Sequence, residues 1–326
     1  MILNDVNTLP YAVASTYDRA MLERALPEIL HDQFAQIKDL PRKGTNVLKM
    51  RKYGALAVNT TPLVDGVTPA GSKLSYSDVT ITVRQYGDFT IVTDWVDMTS
   101  PDPVLLEASE VLGEQAGQSI ESVLISVLNA GTNVQYADVG SDGNTARTDV
   151  ASDDKLTATE LDIAIRTMKN NLAKPITRVV NPDTGYATTP VNSAFVGIVH
   201  PNTTYDLKGI SGYSPLEDYQ NSAQGGLRGE VGKYDRLRFV ETTLAKVFSG
   251  AGASSIDVYS TLIIGMNSYG ISRISGEAMR NIVKPFGSAG SSDPLNQRAT
   301  SGWKASFGAG IINQLFLLRI EHAVSA

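Results

Sequence analysis

Side chains that could perform chemistry are few in this chain and lie far apart in sequence. It has three histidines, His31, His200 and His322, and no cysteine. None of the histidines has the His-x-x-x-His spacing that places two imidazoles on one helix face around a metal ion. The lack of cysteine excludes disulfides, thiolate nucleophiles and zinc–thiolate sites. We therefore predict structural roles for the three histidines, with no catalytic residue and no metal site.

Two short stretches resemble ligand-binding loops but lack a required residue. "GLRGEVGKYD" has the wrong glycine spacing for a phosphate loop, and Lys233 is followed by Tyr234 instead of a Mg²⁺-binding Ser or Thr. "DVGSDGN" offers Asp138, Asp142 and Asn144 as oxygen ligands, but Gly140 stands where a calcium loop needs a ligand, and no glutamate closes the loop. A turn is the better interpretation of the second stretch. We predict no cofactor and no enzymatic activity.

Composition is typical of a globular protein long enough for two or three domains. The 326 residues are 42% hydrophobic and 19% charged, with a formal net charge of −6. An acidic balance argues against a dedicated nucleic-acid-binding domain, which is usually basic. No run approaches the 18 apolar residues of a membrane span, and the first residues lack the basic and apolar regions of a signal peptide. We therefore expect no membrane partner.

A basic stretch stands out early in the chain. No acidic residue occurs between Leu40 and Val64. Two interpretations remain open: a solvated strand face, or an electrostatic contact with acidic neighbours or with phosphate groups. The residues concerned are Arg42, Lys43, Lys49, Arg51 and Lys52.

Period-two alternation over about twenty residues predicts an unusually long strand after this stretch. Gly87 near its middle predicts a bulge or bend. One parity is apolar and should form the buried face: Val79, Ile81, Val83, Phe89, Ile91 and Trp95. Together with the preceding strand it predicts a long hairpin, which is marginally stable on its own in water and must lie along something.

The turn of this hairpin covers residues 60–74, "TTPLVDGVTPAGSKL". It contains few apolar residues, and Pro and Gly interrupt them, so it cannot form a core. Its candidate contact residues are Pro62, Leu63, Val64, Val67, Pro69 and Lys73.

Helical periodicity predicts three helices. The first covers 18–38, with a kink at Pro27. The second is long, 102–130, with Asp102 as its N-cap and Pro103 at its first position. The third begins after Thr157, whose spacing to Glu160 fits a capping box. Short β-like runs fill the rest of the chain, and "WKASFGAG" and "LFLLRIEHA" predict a final hairpin. The fold class is α+β.

Several stretches, in this order, are similar to major capsid proteins of tailed bacteriophages, in the group named after coliphage N-four, from about residue 40 to the C-terminus. They are "TTPLVDGVTPAG", "QYGDFTIVTDWVDMTSPDPVL", "LGEQAGQSIESV", "NAGTNV", "FVGIVHPNTTYDLKG", "GEVGKYDRLRFVETTLAKVF" and "SDPLNQRATSGWKASFGAGI".

This resemblance implies the Hong Kong 97-type capsid fold. It implies an N-terminal arm and helix at 1–41, an extended hairpin or E-loop at 42–98, and a peripheral domain with a long spine helix at 99–149. An axial domain at 150–286 and a return to the peripheral domain at 287–326 complete the expected division. The turn at 60–74 would then pack on the next subunit of a shell, which explains why it has no core of its own.

The implied function is that of a major capsid protein. Hexamers and pentamers would form an icosahedral shell around double-stranded DNA, assembled in the host bacterial cytoplasm and found in the virion. Candidate partners are a portal, a scaffolding or decoration protein, and packaged DNA held on the inner face without sequence specificity. The alternatives are an encapsulin-like compartment around an enzyme cargo and a soluble enzyme of unrelated α+β fold.

Overall fold

The computed structural model describes residue 21, residues 29–140 apart from 55 and 64, and residues 143–180, 188–219 and 227–325 apart from 278, 289, 291 and 292. The strands are β1 (Gln36–Ile37), β2 (Val47–Tyr53), β3 (Tyr76–Thr82), β4 (Arg84–Thr93), β5 (Val134–Tyr136), β6 (Ile176–Val180), β7 (Thr188–Val199), β8 (Tyr213–Pro215), β9 (Glu230–Tyr234), β10 (Leu237–Glu241), β11 (Val247–Phe248), β12 (Val258–Ile264), β13 (Tyr269–Ser272), β14 (Met279–Lys284), β15 (Arg298–Ile311) and β16 (Leu317–His322). The helices are α1 (Asp94–Thr99), α2 (Val104–Leu128), α3 (Ala158–Asn170), α4 (Pro201–Leu207) and α5 (Leu216–Tyr219).

The described strands form three sheets. A five-stranded sheet has the order β1-β13-β15-β14, with β4 also paired to β15, and a nine-stranded sheet has the order β5-β16-β12-β7-β10-β9-β8, with β6 on β7 and β11 on β12. The third sheet is the two-stranded ribbon β2–β3. Helices and strands are interspersed, and the predicted α+β class is confirmed.

Helix α2 packs its buried face against the five-stranded sheet. Leu112, Ala116 and Ile120 are buried, as the predicted apolar stripe requires, and they share one core cluster with Trp303 and Phe307. The helix begins at Val104, so Pro103 is its N-cap residue and has no side-chain capping bond. The prediction of Asp102 as the N-cap is therefore wrong, and the first turn begins without a side-chain acceptor.

Helix α3 agrees with its sequence pattern. The Oγ1 of Thr157 accepts a hydrogen bond from the backbone N–H of Glu160 at 3.4 Å. The helix buries Leu161, Ala164 and Met168, which form part of a second core with strands of the nine-stranded sheet.

The predicted first helix at 18–38 is wrong in its described C-terminal part. A short 3-10 helix at His31–Phe34 is followed by β1, which pairs in parallel with Gly270 and Ile271 of β13. Residues 1–20 and 22–28, including Pro27, lie outside the described residues. The sheet edge supplies hydrogen-bond partners that outweigh local helix propensity.

The predicted long strand is two strands that belong to different sheets. The chain leaves the ribbon at Val83, whose backbone N–H donates to the carbonyl of Asn46 at 2.8 Å, and then pairs with β15 as β4. The register of β4 with β15 is regular through Gly87, so the predicted bulge there is wrong. Glycine is needed at this position because a Cβ atom would lie 2.6 Å from the carbonyl oxygen of Trp303.

The burial of β4 is also the reverse of the prediction. Ile81 and Val83 are buried as expected, but Phe89 and Ile91 are exposed and Val92 of the other parity is buried. Gln115 of helix α2 donates to Asp88 Oδ2 at 2.7 Å, so the helix lies on the even-numbered face of β4 and the apolar odd-numbered side chains are on the other face.

The predicted final hairpin does not form. Strand β15 lies in the five-stranded sheet, whereas β16 pairs with β12 and β5 in the nine-stranded sheet. The turn between them instead carries the chain from one sheet to the other, so the C-terminal strand connects both cores.

A buried carboxylate fixes the segment before β1 to helix α2. Glu121 Oε1 accepts the backbone N–H groups of Leu30 and His31 at 3.1 Å each, and it also bonds to His31 Nδ1. The hydroxyl of Tyr269 donates to the carbonyl of His31. Burial, together with the carboxylates of Glu121 and Asp32, raises the pKa of Tyr269 well above its usual value, so this hydroxyl keeps its proton.

Gly113 gives a first prediction about the packing of α2. A Cβ atom at this position would lie 2.4 Å from the backbone oxygen of Met21 and 3.0 Å from its Cα. We expect Gly113→Ala to lower the free energy of unfolding by about 1–3 kcal/mol, despite the higher helix propensity of alanine. Urea unfolding of the unassembled subunit measures this, with exposed Ser126→Ala on the same helix as the matched control. A more stable Gly113→Ala subunit would contradict the close contact.

His322 gives a prediction about acid stability. It is fully buried in β16, bonds to Thr261 Oγ1 at 2.9 Å, and has its pKa lowered to about 4 by burial. Below pH 6.5 the unfolded chain gains a proton that the folded chain does not, so stability is lost as the pH falls from 6.5 towards 4. This loss is on the order of 3 kcal/mol. Urea titrations at pH 7 and pH 4 should show the stability advantage of the parent over His322→Asn shrinking by that amount. An unchanged difference would contradict the neutral buried state.

Candidate interaction surfaces

The histidines have separate structural roles in the described structure. His31 bonds to Glu121, His322 bonds to Thr261, and His200 accepts the backbone N–H of Asn202 at 3.2 Å at the start of α4. Within the described residues, no group of three His, Asp or Glu side chains is arranged to hold a metal ion. Among the helices of these residues, none is long and apolar enough to cross a membrane.

The ribbon β2–β3 is anchored to the body of its own chain from its base up to Lys52. Its seven pairs run from Val47 opposite Thr82 to Tyr53 opposite Tyr76. Its buried side chains form a small cluster with Leu40, Ile274 and Ile312 of the body: Leu48, Met50, Ile81 and Val83. The base of the ribbon is therefore part of the folded core, while its distal end extends beyond it.

The tip segment, residues 54–75, has no core of its own. From Leu56 to Asp78 every described residue is exposed, and Leu63 has 75% of its surface accessible. A Cβ atom at Gly66 or Gly71 would meet nothing within 4 Å. The structure places five of the six predicted contact residues on this exposed segment: Pro62, Leu63, Val67, Pro69 and Lys73. The sixth, Val64, lies outside the described residues.

Three of the five basic residues are engaged within the chain. Arg42 donates to the carbonyls of Ser275 and Gly276 and pairs with Glu277 Oε1 at 2.9 Å. Lys52 Nζ donates to Asn313 Oδ1 at 2.7 Å. Arg42 thus holds the segment before β2 to residues 275–277, and Lys52 fastens the distal part of the ribbon to Asn313.

Arg51 belongs to the ribbon itself. Its guanidinium contacts both carboxylate oxygens of Asp78, at 2.8 and 3.2 Å, and lies 4.3 Å from the ring centre of Tyr76. The hydrogen bonds from Arg51 lower the pKa of the Asp78 carboxyl. Lys43 and Lys49 are exposed.

A groove on the five-stranded sheet was not predicted from the sequence. It has a volume of about 730 Å³ and lies over β4, β15 and β14. Phe89 and Ile282 face each other across Gly302, and a Cβ at Gly302 would lie 2.7 Å from Phe89 Cβ. Three cations also line it: Lys284, Arg298 and Lys304. The groove therefore combines apolar side chains with three cations and one acidic residue, Asp88, whose carboxylate accepts a hydrogen bond from Gln115 of α2 at 2.7 Å.

The opposite face of the same strands is covered by α2. Trp303 Nε1 donates to Gln115 Oε1 at 3.2 Å, and the hydroxyls of Ser109 and Ser301 are 2.8 Å apart. The sequence signal for the groove was the apolar Phe89 and Ile91, which the alternation had assigned to the buried face.

Helix α1 adds a second exposed apolar group next to the groove. Trp95 is 71% exposed and Met98 69% exposed. They lie one turn apart on this six-residue helix, which also carries Asp94 and Asp97. Isolated exposed apolar residues are common on monomers, but a concentration of this kind marks a contact surface.

Comparison with known proteins identifies the family. The family model described as phage capsid protein matches residues 76–320. A search of curated proteins finds no match.

Among solved structures, the capsid asymmetric unit of cyanophage Pam1 has a TM-score of 0.66 at 16% identity, over 93% of this chain and 92% of that one. The capsid of Ralstonia phage GP4 has a TM-score of 0.70 at 10% identity, over 91% of both chains. The head structure of Helicobacter pylori bacteriophage KHP40 has a TM-score of 0.63 at 13% identity, over 93% and 90%.

These likenesses show a shared fold along almost the whole chain, and the family model covers well over half of it. The chain therefore belongs to the phage capsid protein family and has the Hong Kong 97-type capsid fold.

Proposed function

We propose that this chain is a major capsid protein that assembles as hexamers and pentamers into an icosahedral shell around a double-stranded DNA phage genome. The observation that supports this best is the tip segment, which extends from a firmly anchored ribbon and carries apolar side chains without any cover in its own chain. Its contacts then lie on a neighbouring subunit. The predicted division into arm, E-loop, peripheral and axial domains belongs to the same proposal.

The energetics favour an intersubunit role for this segment. Burying one Leu or Val side chain contributes about 1.5–3 kcal/mol, and a standard protein contact buries about 1,600 Å² in total. Five exposed aliphatic residues of the tip segment are available for such burial: Leu56, Val58, Leu63, Val67 and Leu74. Proline at 62 and 69 limits the conformational freedom that is lost when the segment docks.

The charge distribution fits a shell that encloses DNA without holding it tightly. The net charge is −6, and three of the five cations in the basic stretch are neutralised or bonded within the chain. Lys43 and Lys49 remain as candidates for a contact with a neighbouring subunit or with DNA on the inner face. We assign the protein to the virion, with assembly in the host cytoplasm and a portal and a scaffolding or decoration protein as further partners.

Replacing residues 56–73 by an Asn-Gly turn, so that residue 55 lies opposite residue 74, tests this function. Such a turn suits a two-residue hairpin and leaves the paired ribbon intact. Because the described tip residues are exposed, we expect a soluble subunit whose melting temperature stays within a few degrees of the parent. Closed shells should be absent from electron micrographs and from sedimentation profiles.

Two exposed conservative changes in the same segment, Thr68→Ser and Ser72→Thr, serve as the matched control and should assemble normally. Amide exchange at residues 65–72 should be fast in the unassembled parent and slow in shells. Shells of unchanged stability from the shortened chain would show that the tip segment is not an intersubunit contact.

A further inference from the structure

The sheet groove and helix α1 both carry apolar side chains, and the charged side chains beside them have opposite signs. The groove offers apolar Phe89, Ile91 and Ile282 beside the ammonium groups of Lys284 and Lys304. Helix α1 offers apolar Trp95 and Met98 beside the carboxylates of Asp94 and Asp97. An apolar contact surrounded by opposite charges is the arrangement found in specific protein interfaces.

The acidic character of α1 is not offset by its neighbours in sequence. No Lys or Arg occurs between Arg84 and Arg147, so β4, α1 and α2 bring no cation to this end of the sheet. The cations of the groove come from β14 and β15 instead, and Arg298 also lies 3.9 Å from Asp293. Two like-charged surfaces would repel each other, whereas α1 and the groove attract.

Helix α1 does not occupy the groove of its own chain. It begins directly after β4, where the backbone N–H of Asp94 donates to the carbonyl of Gln297 at 3.0 Å. Trp95 and Met98 remain largely exposed in this position. Within the part of the chain that the structure describes, α1 leaves the groove open, so a second molecule is a candidate partner.

We propose that α1 of a second copy of this chain docks in the groove, with Trp95 as its main anchor, and that the contact is reciprocal across a two-fold axis. The groove-lining part of β4 ends at Ile91 and α1 begins at Asp94, so the two halves of the contact lie side by side on one subunit. A two-fold axis that brings one α1 to a neighbour's groove brings the neighbour's α1 to the first groove. Buried tryptophan is a frequent hot spot in such interfaces.

The tip segment is a weaker candidate for the same groove. It has a single acidic residue, Asp65, and no aromatic side chain. It also lies at the far end of the ribbon from β4, so it is not adjacent to the groove of its own subunit as α1 is. This inference rests on the proposed shell function only in requiring a second copy of the chain.

Single cysteines can locate the contact because the chain has none of its own. Met98→Cys and Ile282→Cys subunits are prepared separately, mixed in equal amounts, assembled and oxidised with copper phenanthroline. We expect disulfide-linked dimers in the mixture, involving up to about half of the chains, and few in either variant alone, because a two-fold axis pairs unlike positions. The Leu63→Cys subunit, mixed with Ile282→Cys, is the matched probe for the tip segment.

The double variant Met98→Cys/Ile282→Cys distinguishes the two geometries. A reciprocal contact links two chains twice and stops at dimers, whereas a head-to-tail contact gives a ladder of larger multimers. A ladder, or cross-linking of Leu63→Cys in place of Met98→Cys, would overturn the proposal. Electron microscopy of the parent protein is the reference. If the parent forms particles but the cysteine variants give no cross-links, this contact alone is refuted. If the parent forms no particles, the shell function is refuted.

Charge reversal gives an independent test. We expect Asp97→Lys and Lys284→Glu each to lower the particle yield at least tenfold, and the double variant to recover most of it, because the opposite charges are restored across the contact. Asp65→Lys on the tip segment is the control and should not be rescued by Lys284→Glu. Rescue of Asp65→Lys, or no recovery in the Asp97→Lys/Lys284→Glu variant, would contradict the assignment of α1 to the groove.

Discussion

The close contact between helix α2 and strand β15 is the interaction on which the rest of the structure depends. The hydroxyl of Ser109 on the helix bonds to that of Ser301 on β15, and Gly113 of the same helix admits the backbone of Met21. β15 pairs with β4, β13 and β14, so one helix–strand contact holds segments from both halves of the chain. Glu121 extends the same contact to the segment before β1 through buried hydrogen bonds. Removing one partner of such a buried carboxylate costs more than an ordinary hydrogen bond contributes.

This arrangement uses one face of the sheet and leaves the other uncovered. Helix α2 fills the side of Trp303 and Ser301, while Phe89, Ile91 and Ile282 stay on the open side. The tip segment is uncovered for a different reason. The buried side chains of the ribbon pack in a cluster with the body of the chain, and the distal end extends beyond that cluster. Both surfaces carry more apolar area than folding of the monomer requires. In a capsid protein this surplus is available for contacts between subunits.

Sequence patterns identified elements whose stabilising contacts are local. The cap of α3 at Thr157 and the apolar stripe of α2 could be predicted because they depend on residues three or four positions apart. The pairing of β15 and β16 with different sheets could not, since the pairing of β15 with β4 joins residues more than two hundred positions apart. The alternation around Phe89 correctly indicated a strand, but alternation does not reveal which face the rest of the chain covers.

The same limit applies to the interaction surfaces. The tip segment could be recognised from its own composition, because a segment interrupted by Pro and Gly with few apolar residues cannot form a core wherever it lies. The partners of the basic residues could not be predicted, since Glu277 and Asn313 are more than two hundred residues from Arg42 and Lys52. The groove could not be predicted either, because its position depends on how three strands and a helix pack together.

The boundary between rigid and adaptable parts of the subunit lies at the end of the ribbon pairing. Val83 is buried and bonded to Asn46, so the joint between ribbon and sheet is packed instead of loose. Beyond the Tyr53–Tyr76 pair, the described tip residues are exposed and carry few backbone hydrogen bonds, such as Gly54 to Ser75 at 2.9 Å. Conformational adjustment therefore costs least within the tip segment. In the proposed shell, one chain meets different neighbours in hexamers and pentamers, and the tip segment can absorb those differences. Helix α1 follows β4 directly and the groove lies on the sheet, so both belong to the packed body of the subunit.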